Sequence, residues 1–139
     1  MKIMTFNVQH CRSYLHGVIN IPQVAETIRA YDADIVGLNE MYDKGEAPAF
    51  TAQTAELARL ADYPHHFFAK AIDVKGNNPY GNGFLSRVKI ENAEIIPIPD
   101  PVERTGTKLY ETRCLLCTLI YQGESRARAS LTWSAVCLT

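Results

Sequence analysis

An amide and a carboxylate stand where two apolar stretches of the early chain come to an end. Asn7 closes an alternating stretch over residues 2–8, and Glu40 follows the apolar run 35–38. Both stretches are expected to be β-strands, and ligands of α/β sheets gather beyond the carboxyl ends of strands. A carboxylate there suits a hard divalent cation, while an amide offers an oxygen to a metal and two N–H donors to a phosphate. The alternatives are a turn-forming asparagine and a solvated glutamate at the start of a loop, unless the two strands are neighbours and the side chains converge.

A second polar segment, Tyr80 to Arg87, is rich in glycine and asparagine. Gly81 and Gly83 would let a backbone come close to another group. Tyr80 and Asn82 are two residues apart, so on a strand they place hydrogen-bonding groups on one face. The alternative is an ordinary hairpin entry.

Glu111 and Arg113 also share a face of an expected strand. They are expected to form a structural salt bridge, or else to hold a metal ligand or a phosphate in place. Cys114 and Cys117 form a C-x-x-C pair, but on a buried strand this odd separation sends the side chains to opposite faces, which favours core cysteines over a zinc or redox site. The four histidines show no i,i+4 spacing on a helix, so no histidine metal site is expected.

The elements that must position these residues are strands and helices in a mixed order. The predicted helices begin near Asn20, which can cap the first one, and near Pro48. The order strand, helix, strand, helix, then mostly strands indicates a mixed α/β (α+β) layer. The predicted strands cover residues 2–8, 35–38, 65–69, 80–86, 90–96 and 112–121, and the predicted helices start at residue 21 and run over about 48–61.

Bulk properties place limits on the function. The chain has 139 residues and a formal net charge of −1. That charge argues against a broad nucleic-acid surface, which needs a basic excess, but not against a small anionic substrate held by a metal. No apolar run approaches the roughly 20 residues that cross a bilayer, and no signal peptide is evident, so a cytoplasmic location is expected.

Together the polar segments resemble the endonuclease/exonuclease/phosphatase superfamily, whose members hydrolyse phosphate esters. Four motifs in the right order carry the resemblance, which spans roughly residues 1–120. They are Met4-Thr5-Phe6-Asn7-Val8, the stretch Ala33 to Glu40, the stretch Tyr80 to Arg87, which is similar to a Tyr-Gly-Asn-Ala-Ile-Leu-Ser-Arg strand, and Glu111-Thr112-Arg113.

The resemblance implies roles for these residues. Glu40 would bind Mg²⁺, or Mn²⁺ in its place, and Asn7 would assist the metal and phosphate site. Tyr80 and Asn82 would lie near the substrate phosphate. The substrate would be a nucleic acid, a phospholipid headgroup or an inositol phosphate, and attack by an activated water would break the ester bond.

The chain also departs from the family pattern. Members are about twice this length, and their second half carries a histidine strand, a Gly-Asp-x-Asn motif and a terminal Ser-Asp-His, none of which occurs here. Truncation, a reading-frame error near residue 121 and a naturally short protein are the open explanations. We therefore expect residues 1–120 to be the N-terminal half of a four-layer α/β/β/α sandwich, with a mixed sheet and helices on one face, and residues 121–139 to be a divergent or truncated tail.

Two functional hypotheses follow from this expected half domain. One is a metal-dependent phosphoesterase that is incomplete, and therefore weakly active or inactive as this chain. The alternative is a non-enzymatic fragment or binding module that associates, with itself or with a complementing chain, through an uncovered apolar sheet face.

Overall fold

The computed structural model describes residues 1–98, 112–120 and 128–135, with side chains described through residue 96. Two helices and seven strands occur in this part of the chain, together with a short 3₁₀ turn at Gln9–Cys11. The elements are β1 Ile3–Asn7, α1 Ile21–Tyr31, β2 Ile35–Tyr42, α2 Gln53–Leu60, β3 His65–Val74, β4 Asn78–Ser86, β5 Ile90–Ile98, β6 Thr112–Ile120 and β7 Arg128–Ala135.

The first sheet is mixed and has four strands in the order β1-β2-β4-β3. β1 and β2 run parallel, and their register sets Asn7 opposite Asn39. β4 is antiparallel to both β2 and β3. The carboxyl ends of β1 and β2 therefore meet at one edge of the sheet, which is the arrangement that the sequence required for a shared site.

The two helices begin for different reasons. Asn20 caps α1, since its side-chain oxygen accepts a hydrogen bond from the backbone N–H of Gln23 at 3.2 Å. The prediction that α2 begins near Pro48 is wrong, because α2 starts at Gln53. The preceding residues form a turn in which the Phe50 N–H donates to the Ala47 carbonyl at 2.9 Å, and Phe50 is buried. Burying that ring in a turn takes the place of an earlier helical start.

The core lies on both faces of the first sheet. On one face, residues of both helices, such as Ile28 and Leu57, pack against Val36 and Leu85. The predicted placement of the helices on one face of the sheet is thus confirmed. Neighbouring strand positions point the other way, as the pleat of a strand requires. These residues are Ile35, Ala69 and Phe84, which pack against Val88, Ile90 and Ala93.

The second sheet is antiparallel, in the order β5-β6-β7, and β5 and β6 contact β3. Ile35 and Phe84 on the inner face of the first sheet are almost fully buried. At these positions the face is covered rather than exposed, and self-association through it stays an untested prediction. The strand predicted over 112–121 is present as β6, which contains Cys114 and Cys117. No helix among the described residues is both long and apolar enough to span a membrane.

Candidate active site

Asn7 and Glu40 are in direct contact at the shared edge of β1 and β2. The Asn7 side-chain nitrogen Nδ2 donates a hydrogen bond to Glu40 Oε1 at 2.9 Å. The contact follows from the parallel register, in which Asn7 lies opposite the residue just before Glu40. The convergence that the sequence predicted is therefore present in the structure.

Glu40 sits in a β-bulge inside β2 rather than in a loop after the strand. β2 does not end at Leu38, as the apolar run suggested, but continues to Tyr42, and its register against β4 shifts between Leu38 and Met41. Glu40 has a φ of 62°, a left-handed conformation that is uncommon for a residue with a side chain. Bulges re-aim side chains and are frequent beside active sites, so this one gives Glu40 a direction that a regular strand would not.

The orientation of the Asn7 amide is fixed by a second hydrogen bond. Asn7 Oδ1 accepts from the backbone N–H of Gln9 at 3.0 Å, which leaves Nδ2 to face Glu40. Because a backbone N–H can only donate, the amide oxygen and nitrogen cannot exchange places. Glu40 Oε2 accepts no hydrogen bond from the described residues, so this carboxylate has one oxygen anchored and one open to a cation.

A strained turn and a buried glutamine support the site from below. Gln9, His10 and Cys11 all have positive φ values, of 44°, 46° and 60°. Gln53, the first residue of α2, is completely buried and holds this turn to the bulged strand. Its Nε2 donates to the His10 carbonyl at 2.8 Å, and its Oε1 accepts from the Tyr42 N–H at 3.0 Å. Sequence reasoning missed Gln53, because a polar residue at a helix start gives no sign that it is buried.

Aromatic rings fill the space beside the carboxylate. The His10 ring stacks on Tyr42, with centroids 4.4 Å apart and planes 15° apart, and Tyr80 approaches its edge at 6.4 Å. Phe50 lies on Tyr42 at 4.3 Å. Burial lowers the pKa of His10, and the charge of Glu40 opposes that shift. The His10 Nδ1 atom is buried and has no hydrogen-bond partner among the described residues.

The structure brings Tyr80 and Asn82 to the same region through β4. Tyr80 pairs with Tyr42 in register, and the rings are 5.5 Å apart. Asn82 is the residue opposite the bulge, since Gly83 pairs with Leu38 and Gly81 pairs with Met41. Both Tyr80 and Asn82 are largely buried, at 5 % and 4 % exposure.

The two glycines of this strand make room for the protein's own groups. A Cβ atom on Gly81 would lie 2.0 Å from the Ala69 carbonyl oxygen, and one on Gly83 would lie 2.7 Å from Thr54 Oγ1. The close approach expected at these positions is therefore to β3 and α2, and it packs the sheet.

Two predicted supporting residues are described incompletely or not at all. Glu111 lies outside the described residues, and Arg113 belongs to β6, where its backbone pairs with Pro97 and Ala135. Within the part of the chain that is described, no group of three or more His, Cys, Asp or Glu side chains is arranged to hold a metal. Glu40 and Asn7 are thus the polar pair at this edge of the sheet that the described residues offer.

Comparison with known proteins places this fold and this pair in a family. The endonuclease/exonuclease/phosphatase family model matches residues 4–128. The chain belongs to this family. No curated protein is similar enough to the chain to count as a match.

Solved structures of the same family share the fold. An endonuclease/exonuclease/phosphatase from Beutenbergia cavernae DSM 12333 is 27 % identical, with a TM-score of 0.80 over 96 % of this chain. A family protein from Leptotrichia buccalis C-1013-b is 17 % identical, with a TM-score of 0.69 over 99 % of this chain. The chain spans 37 % of the first structure and 55 % of the second.

Proposed function

We propose that this chain carries one part of the active site of a divalent-metal-dependent phosphoesterase, in which Glu40 is a metal ligand and Asn7 positions it. The observation that carries the proposal is the 2.9 Å hydrogen bond from Asn7 Nδ2 to Glu40 Oε1, at the edge where two parallel strands end. Membership of a family named for nucleases and phosphatases supports the same reaction class, hydrolysis of a phosphate ester.

The donor set fits a hard cation such as Mg²⁺, or Mn²⁺ in its place. Mg²⁺ takes oxygen ligands, keeps several waters and often uses one or two carboxylates together with substrate phosphate oxygens. Glu40 offers such a carboxylate, with one oxygen anchored by Asn7 and half of its surface still accessible from the sheet edge. When bound, the cation supplies neutralisation of the negative charge that develops on the phosphate.

The remaining work falls to the protein's own side chains. Asn7 fixes the rotamer of Glu40, and the backbone N–H of Gln9 in turn fixes Asn7. Asn82, opposite the bulge, and Tyr80, in the aromatic cluster, are proposed to contact the substrate phosphate through their amide and hydroxyl groups.

We propose that turnover by this chain alone is weak. The described residues place no histidine or second carboxylate with Glu40 in a metal-binding group, and a missing general base costs about 10²–10⁴-fold in rate. We further propose that residues 1–120 form the N-terminal half of the family domain and that residues 121–139 are a divergent tail. The substrate class, whether nucleic acid, phospholipid headgroup or inositol phosphate, follows from the family alone at this stage.

A turnover assay with a generic phosphodiester tests the proposal. Bis(p-nitrophenyl) phosphate is incubated with the full chain and Mg²⁺, and Glu40→Gln is compared with Glu26→Gln, which removes an exposed carboxylate on α1. We expect slow, Mg²⁺-dependent release of p-nitrophenol that is lost in Glu40→Gln and unchanged in Glu26→Gln. Release that does not depend on Mg²⁺, or that survives Glu40→Gln, would contradict the proposal.

A further inference from the structure

A small cleft of about 190 Å³ lies beside the bulge that carries Glu40. We call it the His10 cleft, and its lining includes His10, Arg12, Tyr42, Phe50 and Lys75. No aspartate or glutamate lines it, so its charged side chains are both cationic. Glu40 acts electrostatically on His10, which places the cleft next to the proposed metal site.

The two cations of the His10 cleft have no anionic partner. Arg12 and Lys75 are exposed, and neither forms an ion pair within the described residues, whereas Lys70 and Arg87 elsewhere pair with Asp73 and Asp32. Arg12 follows the strained turn, and Lys75 follows β3, so the charges come from two separate segments. Two unpaired cations across one concave surface create a field that favours an anion.

The floor of the cleft is preformed. His10 is held by its stack on Tyr42 and by the hydrogen bond from Gln53 Nε2 to the His10 carbonyl. Its Nδ1 is buried without a partner, although buried polar atoms in folded proteins are almost always hydrogen-bonded. An oxygen acceptor seated in the cleft is the kind of group that would supply this missing partner, through the Nδ1–H tautomer.

We propose that the His10 cleft binds a second phosphate group of the substrate, while the phosphate to be cleaved lies at Glu40. The proposal rests on the proposed function, because it names the substrate class for that same site. Pockets for whole small ligands measure roughly 300–1,000 Å³, so a cleft of about 190 Å³ takes one group and not an entire ligand. The substrate class is therefore a compound with two phosphates, either neighbouring phosphates of a polynucleotide or two phosphates on one inositol ring.

Phosphate binding without metal tests the cleft directly. The ring signals of ¹³C-labelled histidines in the full chain are followed by NMR during titration with inorganic phosphate in the presence of EDTA, and His10→Gln assigns the His10 signal. We expect a saturable shift of that signal. The double variant Arg12→Gln/Lys75→Gln should raise the dissociation constant about tenfold or more, because two charge-assisted contacts are lost.

A matched control separates the cleft from general charge attraction. Arg59→Gln/Lys89→Gln removes the same two types of charge from exposed positions outside the cleft, and we expect the dissociation constant to stay within about twofold of the wild-type value. Absence of a saturable His10 shift, or equal weakening in both double variants, would overturn the proposal.

Failure of the cleft and failure of the metal site give different results. Glu40→Gln should abolish Mg²⁺-dependent turnover yet retain phosphate binding in EDTA, since it removes a carboxylate that repels the anion. Loss of phosphate binding in Glu40→Gln would count against a separate cleft.

A second titration identifies the source of the phosphates. A thymidine dinucleotide with a 5′-phosphate is compared with the same dinucleotide without it, and inositol 1,4-bisphosphate with inositol 1-phosphate. Tighter binding of the bisphosphate member of either pair supports the cleft and names the source. Equal binding within both pairs would overturn it.

Discussion

Replacing Gln53 by leucine tests how the strained turn and the bulged strand are held together. Leucine keeps most of the volume of this fully buried side chain but removes both of its hydrogen bonds, to the His10 carbonyl and from the Tyr42 N–H. Each backbone group left unpaired in the interior costs about 1–3 kcal/mol, so the expected loss is about 2–6 kcal/mol. Against a typical total stability of about 5–15 kcal/mol, that loss is large.

The assay is urea unfolding of the full chain followed by far-ultraviolet circular dichroism. Gln23→Leu is the matched control, because Gln23 is exposed on α1 and its side chain bonds Asn20 at the surface, so a change within about 0.5 kcal/mol is expected. The variant Gln53→Glu retains an acceptor for the Tyr42 N–H and should differ from Gln53→Leu in the orphaned group alone, apart from the cost of its charge. A loss below about 1 kcal/mol for Gln53→Leu, or one equal to that of the control, would refute the bridging role.

Three further predictions concern packing and titration. Gly83→Ala should lower stability by about 1–3 kcal/mol, because the new Cβ meets Thr54 Oγ1 at 2.7 Å, and Thr54→Ala in the same chain should recover part of that loss in a urea-unfolding cycle. Burial raises the pKa of Cys11 to about 12, so its thiol should resist iodoacetamide at pH 8 in the native chain and react after unfolding, as read by peptide mass mapping. Because that pKa is raised above the ordinary value of 9.0, stability should fall as pH rises from about 9 towards 12. The hydrogen bond from Arg87 lowers the pKa of Asp32, so the stabilisation is lost as pH falls through that lowered value, and Arg87→Gln should return the Asp32 pKa to about 3.9 by NMR titration. Unchanged unfolding, rapid labelling of native Cys11 or an unmoved Asp32 pKa would contradict the respective prediction.

The position of the site was predictable because it depends on local patterns alone. An apolar strand followed by Asn7 and another followed by Glu40 are visible in the chain, and parallel strands bring their carboxyl ends to one edge. The strands and the placement of the helices on one face follow from the same alternation of apolar and polar residues. These features depend on segments of a few residues each.

What the sequence did not reveal depends on contacts between distant segments. The bulge at Glu40 exists because β2 pairs with β4 in two registers, and nothing in residues 35–42 alone specifies that shift. Likewise, Pro48 is a good helix start by its local preference, yet the buried ring of Phe50 holds that segment as a turn. Gln53 is recognised as part of the site only once the turn and the bulge are placed on either side of it.

Metal binding to Glu40 is the most direct test of the proposed site. Isothermal titration calorimetry with Mg²⁺, and with Mn²⁺ as a second probe, compares the full chain with Glu40→Gln, Asn7→Leu and the surface control Glu26→Gln. We expect Glu40→Gln to weaken binding about tenfold or more, Asn7→Leu to weaken it about tenfold through loss of the positioning hydrogen bond, and Glu26→Gln to bind as the wild type. Equal affinity in the wild type and in Glu40→Gln would contradict a metal site at this edge of the sheet.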